Sequence, residues 1–329
     1  MYKKVLAVFS ALTVFLTSLT ACDNKNDNSS EKPLVYASFY TVYDFTKKVA
    51  GDKIQVENMI PAGVDAHHWE PSPSDIRDLE NADLLITNGV EFEGWVDSVT
   101  ESLANKELKI IDTSEGIDLL ENTSYADADE ESHDEEEEHH DEEDNHDEEE
   151  HEHSHGEYDP HIWTSLKNAV KQMENIKNAL CELDPDNKDY YEANYNEQKS
   201  KFLALDEEYS EAAKNFSQKT LVVSHKAFSY LCRDYGLEQI ALRGISAENE
   251  PDAGTLKTIV DTLKEENVKS VFYEEFINQK VSQEIAKEVN ADLYELSPAE
   301  TLSQEQIDNG EDYLSVMKKN LETLKEALK

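Results

Sequence analysis

The sequence predicts an α/β protein with two lobes, each a parallel sheet flanked by helices. Short apolar runs alternate with helical patterns on both sides of a long acidic segment, and such alternation is typical of parallel sheets covered on both faces. The chain of 329 residues is long enough for two domains of ordinary size. One long, charged helical pattern separates the two halves, so we expect an extended helix that bridges the lobes.

The N-terminal segment has the composition of an export signal. Two lysines precede an apolar run over residues 5–16, which matches the core of a signal peptide and is too short to span a bilayer. The run is followed by Leu19-Thr20-Ala21-Cys22, which resembles the lipobox of bacterial lipoproteins. We therefore expect a signal peptide at 1–21, lipid on Cys22, a flexible tether at 22–33, and anchoring to the outer face of the cytoplasmic membrane. An ordinary secretory signal is the alternative.

The predicted N-terminal lobe covers residues 34–186. Its strands are expected at 34–39, 54–60, 83–87 and 109–112, and its helices at 42–50, 74–81 and 95–104. Gly51 and Gly89 break the patterns between these elements.

An acidic insert at residues 122–157 interrupts this lobe. Residues 127–157 contain 19 acidic side chains, no Lys or Arg, and seven of the eleven histidines of the chain. Few apolar residues and strong self-repulsion predict disorder without a ligand. Its close-set imidazoles favour weak secondary zinc binding, and the alternative is a solvated loop with incidental histidines; they are His133, His139, His140, His146, His151, His153 and His155.

The bridging pattern and the second lobe follow the insert. A helix is expected at 166–181, then the bridging helix at 187–216, which is too long and too polar to be a core helix of either lobe. The C-terminal lobe covers residues 217–329, with strands at 220–224, 239–242, 270–273 and 291–296 and helices at 228–235, 254–266, 281–289 and 312–328. Cys181 and Cys232 could pair in an oxidising compartment, but we favour two buried thiols.

Four side chains of metal-binding type lie at the ends of predicted strands or just before a helix. The net charge of −43 argues against nucleic acids and anionic lipid surfaces as partners and favours cations. In open parallel sheets, ligands bind beyond the carboxyl ends of the strands, and the side chains at such positions are His67, His161, His225 and Glu300. Taken singly, each histidine is more simply a surface or capping residue; three from both halves together favour a shared site.

Three imidazoles and one carboxylate would complete a tetrahedral shell around Zn²⁺. A closed shell of this kind binds metal and leaves no position for hydrolytic water. No helical pattern carries a His-Glu-x-x-His motif, and the chain has no Gly-x-Ser-x-Gly elbow. We therefore expect a binding protein rather than an enzyme, and a monomer.

Four motifs occur in order along the chain: Gly63-Val64-Asp65-Ala66-His67-His68-Trp69-Glu70-Pro71, Asp159-Pro160-His161-Ile162-Trp163, Ser224-His225-Lys226-Ala227-Phe228 and Ser297-Pro298-Ala299-Glu300. Together they resemble the metal-binding lipoproteins of bacterial zinc and manganese ABC importers. The resemblance implies two lobes joined by a rigid long helix, with metal in the cleft. It also implies His67, His161, His225 and Glu300 as ligands and an ABC permease in the cytoplasmic membrane as partner.

Two features favour zinc as the metal. Manganese-specific members of the resembled family tend to carry a carboxylate where this chain has His225, and imidazole suits Zn²⁺ while oxygen ligands suit Mn²⁺. The histidine-rich insert resembles that of the zinc-binding branch. His68 adds a second imidazole beside the presumed ligand, and we prefer His67. Manganese or another divalent ion, and a surface adhesin that buffers metal, are the alternatives. Glu70, Glu275 and Arg243 are candidates for hydrogen bonds that orient the imidazoles.

Overall fold

The N-terminal lobe contains a four-stranded parallel sheet. The computed structural model describes residues 32–105, 107–122, 156–246 and 251–329, and residues 32–329 form one compact unit. The strands β1 (Leu34–Ala37), β2 (Gln55–Asn58), β3 (Leu84–Thr87) and β4 (Lys109–Asp112) lie in the order β2-β1-β3-β4. The helices of the lobe are α1 (Tyr40–Ala50), α2 (Pro73–Leu79) and α3 (Val96–Ser102).

Two long helices lead from this lobe to the next. Helix α4 (Leu166–Leu183) begins at Ser165, whose hydroxyl accepts a hydrogen bond from the Asn168 amide, and Pro185 separates it from α5 (Lys188–Ala213). Although α5 is strongly polar, residues at helical spacing form a buried stripe that packs on α4 and α1; they are Tyr191, Tyr195, Phe202, Leu205, Tyr209 and Ala213.

The C-terminal lobe repeats the topology of the first. Its strands β5 (Thr220–Val223), β6 (Glu238–Ala241), β7 (Ser270–Tyr273) and β8 (Asp292–Glu295) are parallel and lie in the order β6-β5-β7-β8. Its helices are α6 (Ser229–Tyr235), α7 (Ala253–Glu265), α8 (Lys280–Val289), α9 (Gln304–Asp308) and α10 (Tyr313–Ala327). In both sheets the second strand of the lobe lies on one side of the first strand, and the third strand lies on the other side. Ligand sites of parallel sheets form at such a switch in strand order.

The two faces of the C-terminal sheet pack into different hydrophobic clusters. Leu221 and Val223 of β5 belong to the main core that also covers the N-terminal lobe, α4 and α5, whereas Val222 packs with α7 and α8. This division follows from the alternation of side chains along a strand. The last helix also contacts the first lobe, because Lys48 of α1 donates hydrogen bonds of 2.7 Å to both Asp44 and Asp312 at the start of α10.

The fold class predicted from the sequence is confirmed, with shorter strands than expected. The apolar runs continue past the ends of β1, β2 and β8 because Phe39, Ile60 and Leu296 are buried just beyond the strands rather than in the ladder. Cys181 and Cys232 are both free. The expectation of two buried thiols is wrong for Cys181, which is only half-buried because it lies near the C-terminal end of α4.

The predicted signal peptide, Cys22 and nearly all of the acidic insert lie outside the described residues. The two ends of the insert are described and meet each other. The backbone N–H of Asn122 donates to the Glu157 carbonyl at 2.9 Å, and Glu121 and Tyr158 form an antiparallel bridge. Among the residues that the structure describes, no helix is long and apolar enough to cross a membrane.

Candidate metal centre

Four side chains from both lobes converge at the carboxyl ends of the two sheets. His67 lies in the loop after β2, His161 just before α4, His225 two residues after β5, and Glu300 in the loop between β8 and α9. One potential ligand atom from each residue lies within 4.8 Å of all the others. In the described part of the chain, this is the one group of three or more His, Cys, Asp or Glu side chains close enough to hold a metal.

Four of the six separations between these atoms fit a tetrahedral zinc ion. Bonds of about 2.0–2.1 Å place the ligand atoms of a tetrahedron about 3.3–3.4 Å apart. The Glu300 Oε1 atom lies 3.4 Å from His67 Nε2, 3.2 Å from His161 Nε2 and 3.4 Å from His225 Nε2. The Nε2 atoms of His161 and His67 are 3.3 Å apart. Among the described residues, the buried atoms His225 Nε2 and Glu300 Oε1 have no hydrogen-bond partner of good geometry, so a cation would satisfy both.

A buried carboxylate orients His161. The Nδ1 atom of this ring lies 2.8 Å from Asp159 Oδ1, which also accepts a hydrogen bond from the His161 amide at 3.0 Å. Tyr230 of α6 donates its hydroxyl hydrogen to the Asp159 carbonyl at 2.7 Å and accepts one from the Leu120 amide. With Nδ1 protonated and held by a carboxylate, the Nε2 lone pair of His161 points into the cluster.

His225 is oriented in the same way from the other lobe. Its Nδ1 atom lies 2.7 Å from Oε1 of Glu274, which directly follows β7, the neighbour of β5 in the sheet. Both rings are completely buried. Each lobe therefore supplies one imidazole that is fixed by a neighbouring carboxylate, which also makes the imidazole a better donor to a metal.

The charges of the cluster are strongly coupled. Burial lowers the pKa of His225, but Glu274 and Glu300 outweigh it and raise this pKa to about 10. Burial also lowers the pKa of His161, but Asp159 and Glu300 outweigh it, so this pKa is raised as well. The pKa of Glu300 lies well below its ordinary value because His67, His161 and His225 outweigh the effect of burial. The site is thus a carboxylate beside two imidazoles, His161 and His225, whose raised pKa values favour the protonated forms until a cation replaces the protons.

His67 and Glu300 form the accessible side of the cluster. Their side chains are 7% and 11% exposed, whereas those of His161 and His225 are 0% exposed. The His67 ring packs edge-on against Phe92, with ring centroids 5.0 Å apart. His68 is exposed, its ring centroid 6.4 Å from that of His67, and it lies outside the four-residue group. The structure therefore brings His67, and not His68, into the cluster.

A cavity of about 460 Å³ opens beside His67. It is lined by His68, Glu70 and Glu91, and also by Gly156, near the end of the acidic insert, and Tyr158, which directly follows the insert. The backbone from Gly89 to Glu91 has positive φ throughout, and a Cβ at Gly89 would collide with the Asp112 carboxylate. This tight left-handed turn carries Phe92 to its place against the His67 ring.

The side chains that orient the histidines were not identified from the sequence. Glu70 is exposed, Glu275 accepts a hydrogen bond from Gln306, and Arg243 donates to the Asn278 carbonyl at 3.4 Å. The carboxylates at Nδ1 are Asp159 and Glu274 instead. Glu274 follows β7 as His225 follows β5, so its place directly after a strand was a usable signal, whereas the pairing of these two residues required the strand order of the sheet. The histidines of the insert lie outside the described residues.

Replacing Glu274 with glutamine is expected to weaken zinc binding about 10–100-fold, as is usual when a residue that orients a ligand is changed. The amide can still hold the ring, but it cannot balance the charge of the imidazole. Glu275→Gln is the matched control, because its carboxylate bonds to Gln306 and not to a histidine. The measurement is competition for zinc with a chromophoric chelator. Equal affinities for the two variants would contradict the assigned role of Glu274.

Comparisons with a family model and with individual known proteins indicate the same family. Residues 35–327 match the family model described as "ZnuA: Zinc-uptake complex component A periplasmic". The chain is 38% identical over 333 residues to the "High-affinity zinc uptake system protein ZnuA" of Bacillus subtilis, covering 100% of this chain and 99% of the relative. It is 35% identical to the "Zinc-binding lipoprotein AdcA" of Streptococcus pneumoniae and spans 61% of that protein.

Solved structures with the same fold agree with these sequence matches. The Zn(II)-bound ZnuA-like domain of Streptococcus pneumoniae AdcA is 32% identical with a TM-score of 0.72, and the match covers 90% of this chain and 99% of the domain. The laminin binding protein Lmb of Streptococcus agalactiae, described as bifunctional with adhesin and metal transporting activity, is 32% identical with a TM-score of 0.74. That match covers 90% of this chain and 100% of Lmb.

Proposed function

Because the chain belongs to the zinc-uptake complex component A family, we propose that it is the solute-binding component of a zinc importer. It captures Zn²⁺ outside the cytoplasmic membrane and delivers it to an ABC permease. The observation that carries the proposal is the spacing of 3.2–3.4 Å between the three Nε2 atoms and the Glu300 carboxylate. This spacing supports His67, His161, His225 and Glu300 as the ligands of one tetrahedral ion.

The donor set favours zinc over manganese. Three imidazole nitrogens and one carboxylate oxygen suit the borderline-soft Zn²⁺ ion, whereas Mn²⁺ prefers more oxygen ligands and octahedral geometry. With four protein ligands the shell leaves no position for an activated water, so the site holds metal without catalysing a reaction.

The leader and the relatives support the proposed cell location and partner. The lipobox-like sequence before Cys22 and the relative named a zinc-binding lipoprotein support an exported protein with a lipid anchor. The relative named a zinc uptake system protein supports a membrane permease as the recipient of the metal. The protein acts as a monomer on the outer face of the cytoplasmic membrane.

Growth under zinc limitation tests the import role. A strain that lacks this chain is expected to grow poorly in a medium with a zinc chelator and to recover on added zinc but not on added manganese. The wild-type chain should restore growth, and the Glu300→Ala variant should not. Normal growth of the deletion strain in chelated medium would contradict import and would leave a metal-buffering surface adhesin as the better description.

We assign the histidines of the acidic insert a supporting role in zinc collection. Gly156 near the end of the insert and Tyr158 directly after it line the cavity beside His67, so imidazoles tethered there raise the local zinc concentration at the accessible side of the cluster. In the same strain, a chain that lacks residues 127–155 should restore growth only at higher zinc concentrations. This deletion retains Asn122 and Glu157, whose backbone hydrogen bond joins the ends of the insert. Equal growth and equal zinc stoichiometry would contradict the supporting role.

A further inference from the structure

The loop that carries Glu300 has an unusual backbone. Ala299, the residue before Glu300, is completely buried and has a φ of +61°. A left-handed conformation costs energy in a residue with a Cβ and persists only where the surroundings impose it. The supports of this loop therefore determine where the Glu300 carboxylate lies.

The C-terminal lobe fixes only the beginning of the loop. The Asn320 side chain of α10 accepts a hydrogen bond from the Ser297 amide at 3.1 Å and donates one to the Ser297 carbonyl at 2.7 Å. The Ala299 amide then donates to the hydroxyl of Ser297 at 3.1 Å. These contacts anchor residue 297 and leave the backbone carbonyls of residues 298 and 299 to be satisfied elsewhere.

Residues outside the C-terminal lobe satisfy the rest of the loop. The Trp163 indole donates to the Pro298 carbonyl at 2.7 Å, and the Thr41 hydroxyl of α1 donates to the Ala299 carbonyl. The hydroxyl of Thr301 accepts a hydrogen bond from the Gly63 amide in the loop after β2 at 2.9 Å. Three residues adjacent or close to Glu300 are thus held by residues of the N-terminal lobe.

Thr41 has the most direct place in this arrangement. Its side chain and Ala299 are both 0% exposed, so water does not replace the hydroxyl when it is lost, and the Ala299 carbonyl would remain buried without this donor. The left-handed residue could then relax, and Glu300 follows it directly in the chain. Thr41 is far from Glu300 in sequence and belongs to the first helix of the other lobe.

We propose that Thr41 is a positioning residue for the metal site, which holds the Ala299 carbonyl so that the Glu300 carboxylate meets the three imidazoles. The proposal rests on the proposed function, because it assumes that Glu300 is a zinc ligand. Helix α1 supplies no ligand itself, but in this proposal it determines the position of Glu300, which belongs to the opposite lobe. Outer residues that orient ligands commonly change metal affinity about 10–100-fold when they are removed.

The test is a double-substitution cycle read by zinc affinity. The variants Thr41→Val, Glu300→Ala and the pair are each competed for zinc against a chromophoric chelator. Thr41→Val is expected to raise the zinc Kd about tenfold or more, and to cause no further change when Glu300 is already alanine. Thr41→Ser, which retains the hydroxyl, should keep the wild-type affinity.

Thr46→Val is the matched control for the loss of a buried hydroxyl. Thr46 lies on the same helix, is 0% exposed, and donates its hydroxyl hydrogen only to the Val42 carbonyl of its own helix among the contacts described. Its zinc Kd should be unchanged. Unchanged affinity of Thr41→Val, or an equal loss in the Glu300→Ala background, would overturn the positioning role. Wild-type affinity of Glu300→Ala alone would instead contradict the ligand assignment on which the proposed function depends.

Discussion

Replacing His225 with alanine is expected to remove the tightly bound zinc and to leave the fold intact. A protein site with four ligands binds zinc with about 10–16 kcal/mol, so one ligand contributes on average about 2.5–4 kcal/mol. Since about 1.4 kcal/mol corresponds to a factor of ten, the zinc Kd should rise by about two to three orders of magnitude. His225 is completely buried, which leaves no path for another side chain to replace it without rearrangement.

Native mass spectrometry with elemental analysis measures this effect. The wild-type protein without residues 127–155 should carry one tightly held zinc, and the His225→Ala variant should carry none after dialysis against a weak chelator. His68→Ala is the control, because this imidazole lies next to His67 in the chain but outside the cluster. Retention of one zinc by His225→Ala, or its loss from His68→Ala, would show that the ligands are other residues.

Zinc affinity is expected to increase steeply with pH across the neutral range. Burial opposes protonation of His225, but the neighbouring carboxylates raise its pKa to about 10, and that of His161 is raised as well. At pH 7.5 zinc must therefore displace a proton from His225, and a second to the extent that His161 is charged. Each displaced proton makes the affinity rise about tenfold per pH unit. Titration calorimetry in buffers of different ionisation enthalpy should detect the release of one to two protons per zinc.

The stability of the protein without metal should change with pH in the opposite direction. The protonated His225 stabilises the folded state because its pKa is raised above the ordinary value of 6.5. This contribution is complete below about pH 6.5 and is lost as the pH rises towards 10. Glu300, whose pKa is lowered, stabilises the fold above about pH 4.5 and ceases to do so under strong acid.

Thermal unfolding with zinc and with a chelator tests the combined effect. The difference in Tm between the two samples should widen from pH 6 to pH 9, because zinc binding strengthens while the metal-free protein loses the contribution of His225. In His225→Ala the metal-free protein should lose this part of its pH dependence. A difference in Tm that is constant over this range would contradict the charge coupling of the cluster.

The alternation of strands and helices made the architecture predictable. Strand ends made three of the four candidate ligands predictable, and His161 stood just before a predicted helix. Parallel strands place their carboxyl ends at one edge, so a histidine or glutamate that follows a strand is brought to that edge whatever its distance along the chain. The family resemblance noted from the motifs around these residues is confirmed by the match over residues 35–327. That the four side chains are the zinc ligands stays a prediction, which the substitutions above test.

The supports of the site were harder to predict because they depend on tertiary contacts. Glu274 reaches His225 only because β5 and β7 are neighbours in the sheet, an order that the sequence does not reveal. Thr41 reaches the Glu300 loop only because α1 lies against the opposite lobe. The polar pattern of α5 argued against a core helix of either lobe, yet its tyrosines form a buried stripe, because a phenol contributes apolar area while its hydroxyl finds a partner.

The backbone bridge between Glu121 and Tyr158 joins the two ends of the intervening segment. The geometry of the metal site therefore does not depend on how long that segment is. The cost in chain entropy of closing a loop grows only with the logarithm of its length, about 0.6 kcal/mol for each doubling. Since the Asp159 amide is already held by the Leu120 carbonyl at 2.8 Å, residues can be added or removed between the anchor points without moving His161. The segment is therefore a position where evolution, or a protein engineer, can exchange one sequence for another at little cost in stability.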